Sequence, residues 1–224
     1  METVEYAHGR SADLFGGPTQ PTVLLWHGAQ SDARASVRVL AELLAGHGLS
    51  VIAPDWDSHA DDGGRADLLR SAHFARGRVS KSEGLTLVGW SLGGLAAAGL
   101  TIHAADHGVT VAHTVCLAGA FMVRDPICGS RLETELSAGT GRSPFTLLHG
   151  SADDVVPVSA SRAFASALQH NGWPVEFATL PTDHGAIAGA TYDPAADRYS
   201  AAQDAASLAV AADVADRIAA VCGR

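Results

Sequence analysis

Basic residues are scarce and scattered in this sequence: 15 Lys and Arg stand against 24 Asp and Glu, for a formal net charge of -9. Without a basic stripe the surface offers no clustered phosphate contacts, which excludes nucleic acid or an anionic membrane as a partner held by such charge. No stretch approaches 18 uninterrupted apolar residues, so no spanning helix is expected, and the first five residues, Met-Glu-Thr-Val-Glu, have neither the basic start nor the apolar centre of a signal peptide. Only three cysteines occur, Cys116, Cys128 and Cys222, in no CxxC spacing. An odd number of thiols without a paired pattern is expected to stay reduced, and a cytoplasmic location fits that best. GxGxxG and GxxxxGK loops are missing as well, so nucleotide use has no support.

What the sequence does have is apolar mass: 47% hydrophobic and 17% charged residues over 224 positions, enough to bury a sizeable core, expected as one domain over 1–224. Six short apolar runs recur, TVLLWHG from Thr22, LSVIAPDW from Leu49, LTLVGWS from Leu85, TVCLAGA from Thr114, FTLLHGS from Phe145 and VEFATLP from Val175. Near-continuous apolarity is what strands covered on both faces require. Helical spacing fills the gaps. In 31–48, Val37, Leu40, Leu43 and Leu44 share a face behind Ser31 and Asp32 as N-caps, and VSASRAFASALQHNG is expected to start at a Ser159 cap and stop at Asn171-Gly172. The fold class is therefore α/β: a mainly parallel twisted sheet of about seven or eight strands with helices on both faces. VEYAHGRSADLF near the N-terminus would add one or two antiparallel edge strands. Fewer than thirty residues separate the runs ending near Leu117 and starting at Phe145, too few for a large cap domain.

Ligands of such sheets bind beyond the carboxyl ends of the strands, so the residues after each run are the ones to examine. In Gly89-Trp90-Ser91-Leu92-Gly93 a serine stands between glycines, after the apolar LTLV and before LAAAGLTIHAA. A hydroxyl is a poor nucleophile until a base takes its proton, and it must project clear of its own backbone to reach a carbonyl. A sharp strand-turn-helix corner, with glycines where the two elements nearly collide, provides that projection. Among eleven histidines, His184 of LPTDHGAI follows the last run and is the candidate base. Its partner carboxylate is sought in His149-Gly150-Ser151-Ala152-Asp153-Asp154-Val155-Val156-Pro157; the spacing to the Val-Pro pair favours Asp153 over Asp154.

With HG after an early strand, GWSLG at the corner, HGxxDxxVP and a late DHG, the chain resembles the α/β-hydrolase superfamily from about Thr22 onward. Its opening VEYAHGRSADLF is similar to the entry of small serine carboxylesterase-like members, those related to feruloyl esterases, formamidases and dienelactone hydrolases, with Ala29 where such relatives often carry a second glycine. The resemblance implies Ser91 as nucleophile, His184 as general base and acid, Asp153 as orienting acid, and an oxyanion hole of the Ala29 and Leu92 backbone N–H groups assisted by Gln30. It implies a serine-dependent hydrolase of carboxylic esters, small soluble esters or thioesters, needing no cofactor and no metal. Two alternatives share the scaffold: an acyltransferase using the same triad, and a non-catalytic ligand-binding protein. Dehalogenases of this fold need a carboxylate where Ser91 stands, which excludes that reaction.

The remaining candidates are weighed against plainer roles. Trp56, Phe121 and Met122 follow strands and are expected to line the substrate pocket, together with the stretch AIAGATYDPAADRYS after His184. His27 and His149 precede glycines at strand ends and are expected to shape loops. Trp26, Trp90 and Cys116 are expected in the core. His103 and His107 lie four apart without the Glu of HExxH or a third ligand, which leaves them as surface residues. DWDSHADDGGRAD, at 55–67, reads as a solvated loop with a helix start. A shallow, lidless site suits a small-molecule ester, and oligomeric state is left unassigned.

Overall fold

The structure is a computed structural model that describes residues 1–79, 84–137 and 142–222. Strands β1 (Glu2–Ala7) and β2 (Arg10–Phe15) form an antiparallel hairpin, and β2 runs antiparallel to β4 (Ser50–Pro54). From there the sheet is parallel through β3 (Thr22–Trp26), β5 (Leu85–Trp90), β6 (Val111–Leu117), β7 (Phe145–Gly150) and β8 (Val175–Leu180). The eight strands lie in the order β1-β2-β4-β3-β5-β6-β7-β8. All six apolar runs are the parallel strands, and the N-terminal segment supplies both antiparallel ones.

Alternation along each strand explains why the runs are apolar throughout. Val23 and Leu25 of β3 face helices α1 (Arg38–Gly46) and α5 (Ala205–Cys222), packing with Leu40, Leu44, Val214 and Ile218. Leu24 and Trp26 face the opposite side, against Leu68 and Ala72 of α2 (Arg65–Arg76) and Ala96 and Leu100 of α3 (Leu92–Ile102). Helix α4 (Val158–His170) covers the far end of that second side through Phe164 and Leu168. Between β6 and β7 the described residues hold no helix longer than the turn Leu132–Thr134, and no large cap covers the sheet. No described helix is long and apolar enough to cross a membrane.

Two capping expectations are corrected. The first helical segment is a tight turn at Arg34–Val37 followed by α1, and neither Ser31 nor Asp32 caps it. Asp32 has φ 51° and takes an ion pair from Arg10 at 2.7 Å, while the Ser31 hydroxyl donates to Asp57. Both side chains are drawn to the neighbouring strand and loop and away from the helix start. In α4, Pro157 holds the N-cap place and Ser159 lies inside the first turn, although the helix stops at Asn171 and Gly172 turns the chain with φ 74°. Segment 55–67 is less solvated than expected: Asp55 and Asp67 are buried, paired with Arg34 and Arg10.

The topology also says where ligands can enter. Adjacent strands β3 and β5 send their following helices, α1 and α3, to opposite faces of the sheet, so the loops after them diverge and leave a crevice at the carboxyl ends.

Candidate active site

Ser91 sits in that crevice, on the corner between β5 and α3, with φ 58° and ψ -120°. Only glycine visits this left-handed region readily, so a serine here stores strain that its surroundings must hold. They do so through backbone bonds: Ser91 N–H donates to Leu117 O at 2.9 Å, and Ser91 O accepts from Gly94, Leu95 and Ala120. The flanking glycines are required by approach. A Cβ on Gly89 would overlap the Gly93 carbonyl, and one on Gly93 would overlap the His27 carbonyl. As first residue of α3, Leu92 has no acceptor for its N–H among the described residues, and neither has Ala29 on the opposite loop. The Gln30 N–H, in contrast, donates to Gly28 O at 2.8 Å, and its side-chain oxygen accepts from Tyr199 N–H.

His27 explains the shape of the Gly28–Ala29 loop. It is buried, bonded through Nδ1 to Gly28 O at 2.9 Å, and its Nε2 accepts from the N–H groups of Ala33 and Trp56, both at 3.3 Å. An acceptor at Nε2 and a donor at Nδ1 define one neutral tautomer. Burial, above all, pushes this imidazole down to about 4, aided by Arg198 and Arg34 and opposed by the Gly28 bond.

His184 reaches the same crevice from the loop after β8. Its Nδ1 lies 2.8 Å from Asp153 Oδ2, and its carbonyl accepts from Trp90 Nε1 at 2.7 Å. Next to it, Asp183 accepts from Gly185 and Ala186 N–H, just ahead of the turn Ala186–Ala188. Because the carboxylate can only accept, Nδ1 carries the hydrogen and Nε2 keeps its lone pair. Asp153 stands in the turn after β7 with its other oxygen, Oδ1, accepting from Val155 and Val156 N–H at 2.9 and 2.8 Å. Burial pushes its carboxyl up, but His149, His184 and the Val156 N–H together hold it well below the usual carboxylate range. Asp154 is exposed, and its carboxylate takes no hydrogen bond or ion pair among the described residues.

A cavity of about 510 Å³ holds Ser91 and His184 together, with Gly28, Ala29, Gln30 and Trp90 around them. Its outer wall is the hairpin β9 (Ala190–Asp193) and β10 (Arg198–Ala201), which contributes Tyr192, Arg198 and Tyr199. The Tyr199 ring meets Trp90 edge-on at 4.9 Å and lies 5.9 Å from His184. His59 and Ser31 also line it.

The three pocket candidates named from strand ends are corrected. Trp56 is fully buried, stacked on His27 at 5.3 Å, where its flat face covers the imidazole that orders the glycine loop. Phe121 is stacked on Phe164 at 4.1 Å beneath α4. Met122 is exposed and lies outside the cavity lining. The expectation for the stretch after His184 agrees with the observed lining. Tyr192 and Tyr199, set in a short hairpin, carry no motif, and their signal in the sequence was only their place downstream of DHG. Trp90 is a core residue, yet it also borders the cavity. Among the described residues no group of three or more His, Cys, Asp or Glu is placed to hold a metal ion.

This crevice sits on a sheet whose sequence matches a family model, described as "Alpha/beta hydrolase family", over residues 23–222. The chain belongs to the alpha/beta hydrolase family. Among solved structures it is similar to esterase 2 of Thermogutta terrifontis phosphonylated by cyclosarin, at 18% identity and a TM-score of 0.74, covering 99% of this chain and 94% of that one. The same esterase with butyrate bound aligns with a TM-score of 0.73 at 17% identity over 99% and 94% of the two chains. With paraoxon as the phosphorylating agent, 18% identity and a TM-score of 0.73 are found over 96% and 92%. At these identities the likeness is one of fold. No curated protein matches the chain in sequence.

Proposed function

We propose that this alpha/beta hydrolase is a serine-dependent hydrolase of carboxylic esters, acting on small soluble esters or thioesters through an acyl-Ser91 intermediate. The observation that carries the reading is the 2.8 Å contact of His184 Nδ1 with Asp153 Oδ2 on the rim of the cavity that also holds a strained serine. Ser91 Oγ attacks the substrate carbonyl carbon while its proton passes to His184 Nε2. The tetrahedral oxyanion lies between the unoccupied N–H groups of Leu92 and Ala29, each such donor worth about 3 kcal/mol. Collapse expels the alcohol or thiol, which takes the proton from His184, and leaves the acyl group on Ser91. Water then gives its proton to His184 and attacks the acyl carbon; the acid departs as Ser91 recovers its hydrogen. Asp153 keeps the imidazole in the required tautomer and balances the charge it gains. Two further facts support the reading: the similar T. terrifontis esterase is modified by cyclosarin and holds butyrate, a small acid, and among the described residues no large cap narrows the approach to this cavity.

The test is pre-steady-state turnover of p-nitrophenyl acetate. One equivalent of p-nitrophenol per chain is released in a burst, and Ser91→Ala abolishes it. A burst of equal size in Ser91→Ala would assign the chemistry to another nucleophile.

A further inference from the structure

His149 is a fully buried imidazole that the hydrolytic cycle above does not use. It lies at the end of β7, four residues before Asp153, and its Nε2 is 2.9 Å from Val156 O and 3.3 Å from Asp153 Oδ2. A carbonyl accepts only, so Nε2 carries the hydrogen. Nδ1 then accepts from the buried Ser161 hydroxyl at 2.7 Å, in the first turn of α4. These contacts form a closed ring. The Val156 backbone accepts from His149 through its carbonyl and donates through its N–H to Asp153 Oδ1, while the His149 N–H edge also faces Oδ2, the oxygen that His184 uses.

We propose that His149 is a positioning residue: by pinning the Val156 carbonyl and facing the same Oδ2 that His184 contacts, it holds the Asp153 carboxylate in the one orientation that receives His184 Nδ1–H. Neither neighbour of Asp153 can do this alone. The two backbone N–H groups fix Oδ1, but the turn that carries them is exposed at Asp154 and Val155, and the His149 bonds link its Val156 carbonyl to the end of β7 and to Ser161 of α4. Low pKa on Asp153 agrees with such a donor edge, since His149 heads the groups that hold it down. The proposal rests on the Ser91–His184–Asp153 reading.

The experiment is proton NMR of the low-field His184 Nδ1–H resonance together with steady-state kinetics, in the wild type and in His149→Leu, His149→Gln, Ser161→Ala and Asp153→Asn. His149→Leu is expected to shift or broaden that resonance and to lower kcat roughly 10- to 100-fold with KM changed less than about threefold, the mark of an interaction that acts through the catalytic groups. His149→Gln places an amide N–H near the Nε2 position and restores both the resonance and kcat to within about fivefold. If His149→Leu does not fold, Ser161→Ala is read in its place, with the same direction and a smaller loss. An unmoved resonance and an unchanged kcat in the folded variant would overturn the proposal while leaving the triad intact. A wild-type resonance that survives Asp153→Asn would overturn the triad itself.

Discussion

His184 and Asp153 are 31 residues apart in the chain, yet Nδ1 of one lies 2.8 Å from Oδ2 of the other because β7 and β8 are parallel neighbours whose following loops meet above the sheet. The adjacent Asp154 is exposed and touches neither histidine. One residue of register along a tight turn therefore separates a carboxylate bonded to an imidazole from one that is solvated.

Asp153→Asn presents an amide where the carboxylate accepted, which favours the wrong imidazole tautomer. An expected loss of roughly 10⁴-fold in kcat follows, with Asp154→Asn within about twofold of wild type. Steady-state hydrolysis of p-nitrophenyl acetate by the two variants distinguishes them, and equal losses would move the acid elsewhere.

The neutral His27 beneath the glycine loop makes stability depend on pH. Its imidazole is pushed down to about 4 in the fold, against an ordinary value of 6.5 in the unfolded chain. Protons therefore bind the unfolded chain first. The contribution is complete above about 6.5 and is lost as pH falls toward 4, by on the order of 3 kcal/mol. Urea unfolding of wild type and His27→Asn at pH 7 and pH 4.5 measures it: the deficit of the variant shrinks by a few kcal/mol at the lower pH. A constant deficit would contradict the buried neutral tautomer.

Asp125 acts in the opposite sense. Burial pushes its carboxyl up to about 6, only partly offset by the N–H groups of Cys128 and Ile127, and Oδ1 has no partner among the described residues. The folded chain holds this proton more tightly, so its contribution is complete below the ordinary carboxylate range and is lost as pH rises through about 6. Asp125→Asn is expected to raise stability by about 2 kcal/mol more at pH 7.5 than at pH 4.5. Because this slope opposes that of His27 between pH 4 and 6, the wild-type profile alone is flatter than either variant comparison.

Much of this architecture is legible in the residues. Continuous apolar runs mark the parallel strands because both faces of the sheet's interior are covered, as Val23 and Leu24 show by packing on opposite helical layers, while the edge strand β8 leaves Glu176 and Thr179 exposed. Ser91 is legible because its corner forces glycine at two places where only a hydrogen fits. Helix α5 carries its signal too, with Ala211, Val214, Ala215 and Ile218 buried at helical spacing, but its alanine-rich composition hides the pattern. The pocket wall is not legible. Trp56 and Phe121 stand at strand ends like true lining residues, and only the side chains they stack on, His27 and Phe164, turn them inward. Ser31 and Asp32 have good capping chemistry, and ion pairing and hydrogen bonding to distant residues outcompete it. Such contacts between remote parts of the chain leave no local mark.

The most direct measurement is peptide mass spectrometry after reaction with paraoxon, run on wild type, Ser91→Ala and His184→Ala. A single diethylphosphoryl adduct is expected on Ser91 in the wild type, absent in Ser91→Ala and formed at least about 100-fold more slowly in His184→Ala. An adduct on any other residue, or labelling of Ser91 at an undiminished rate without the imidazole, would contradict the assignment of nucleophile and base.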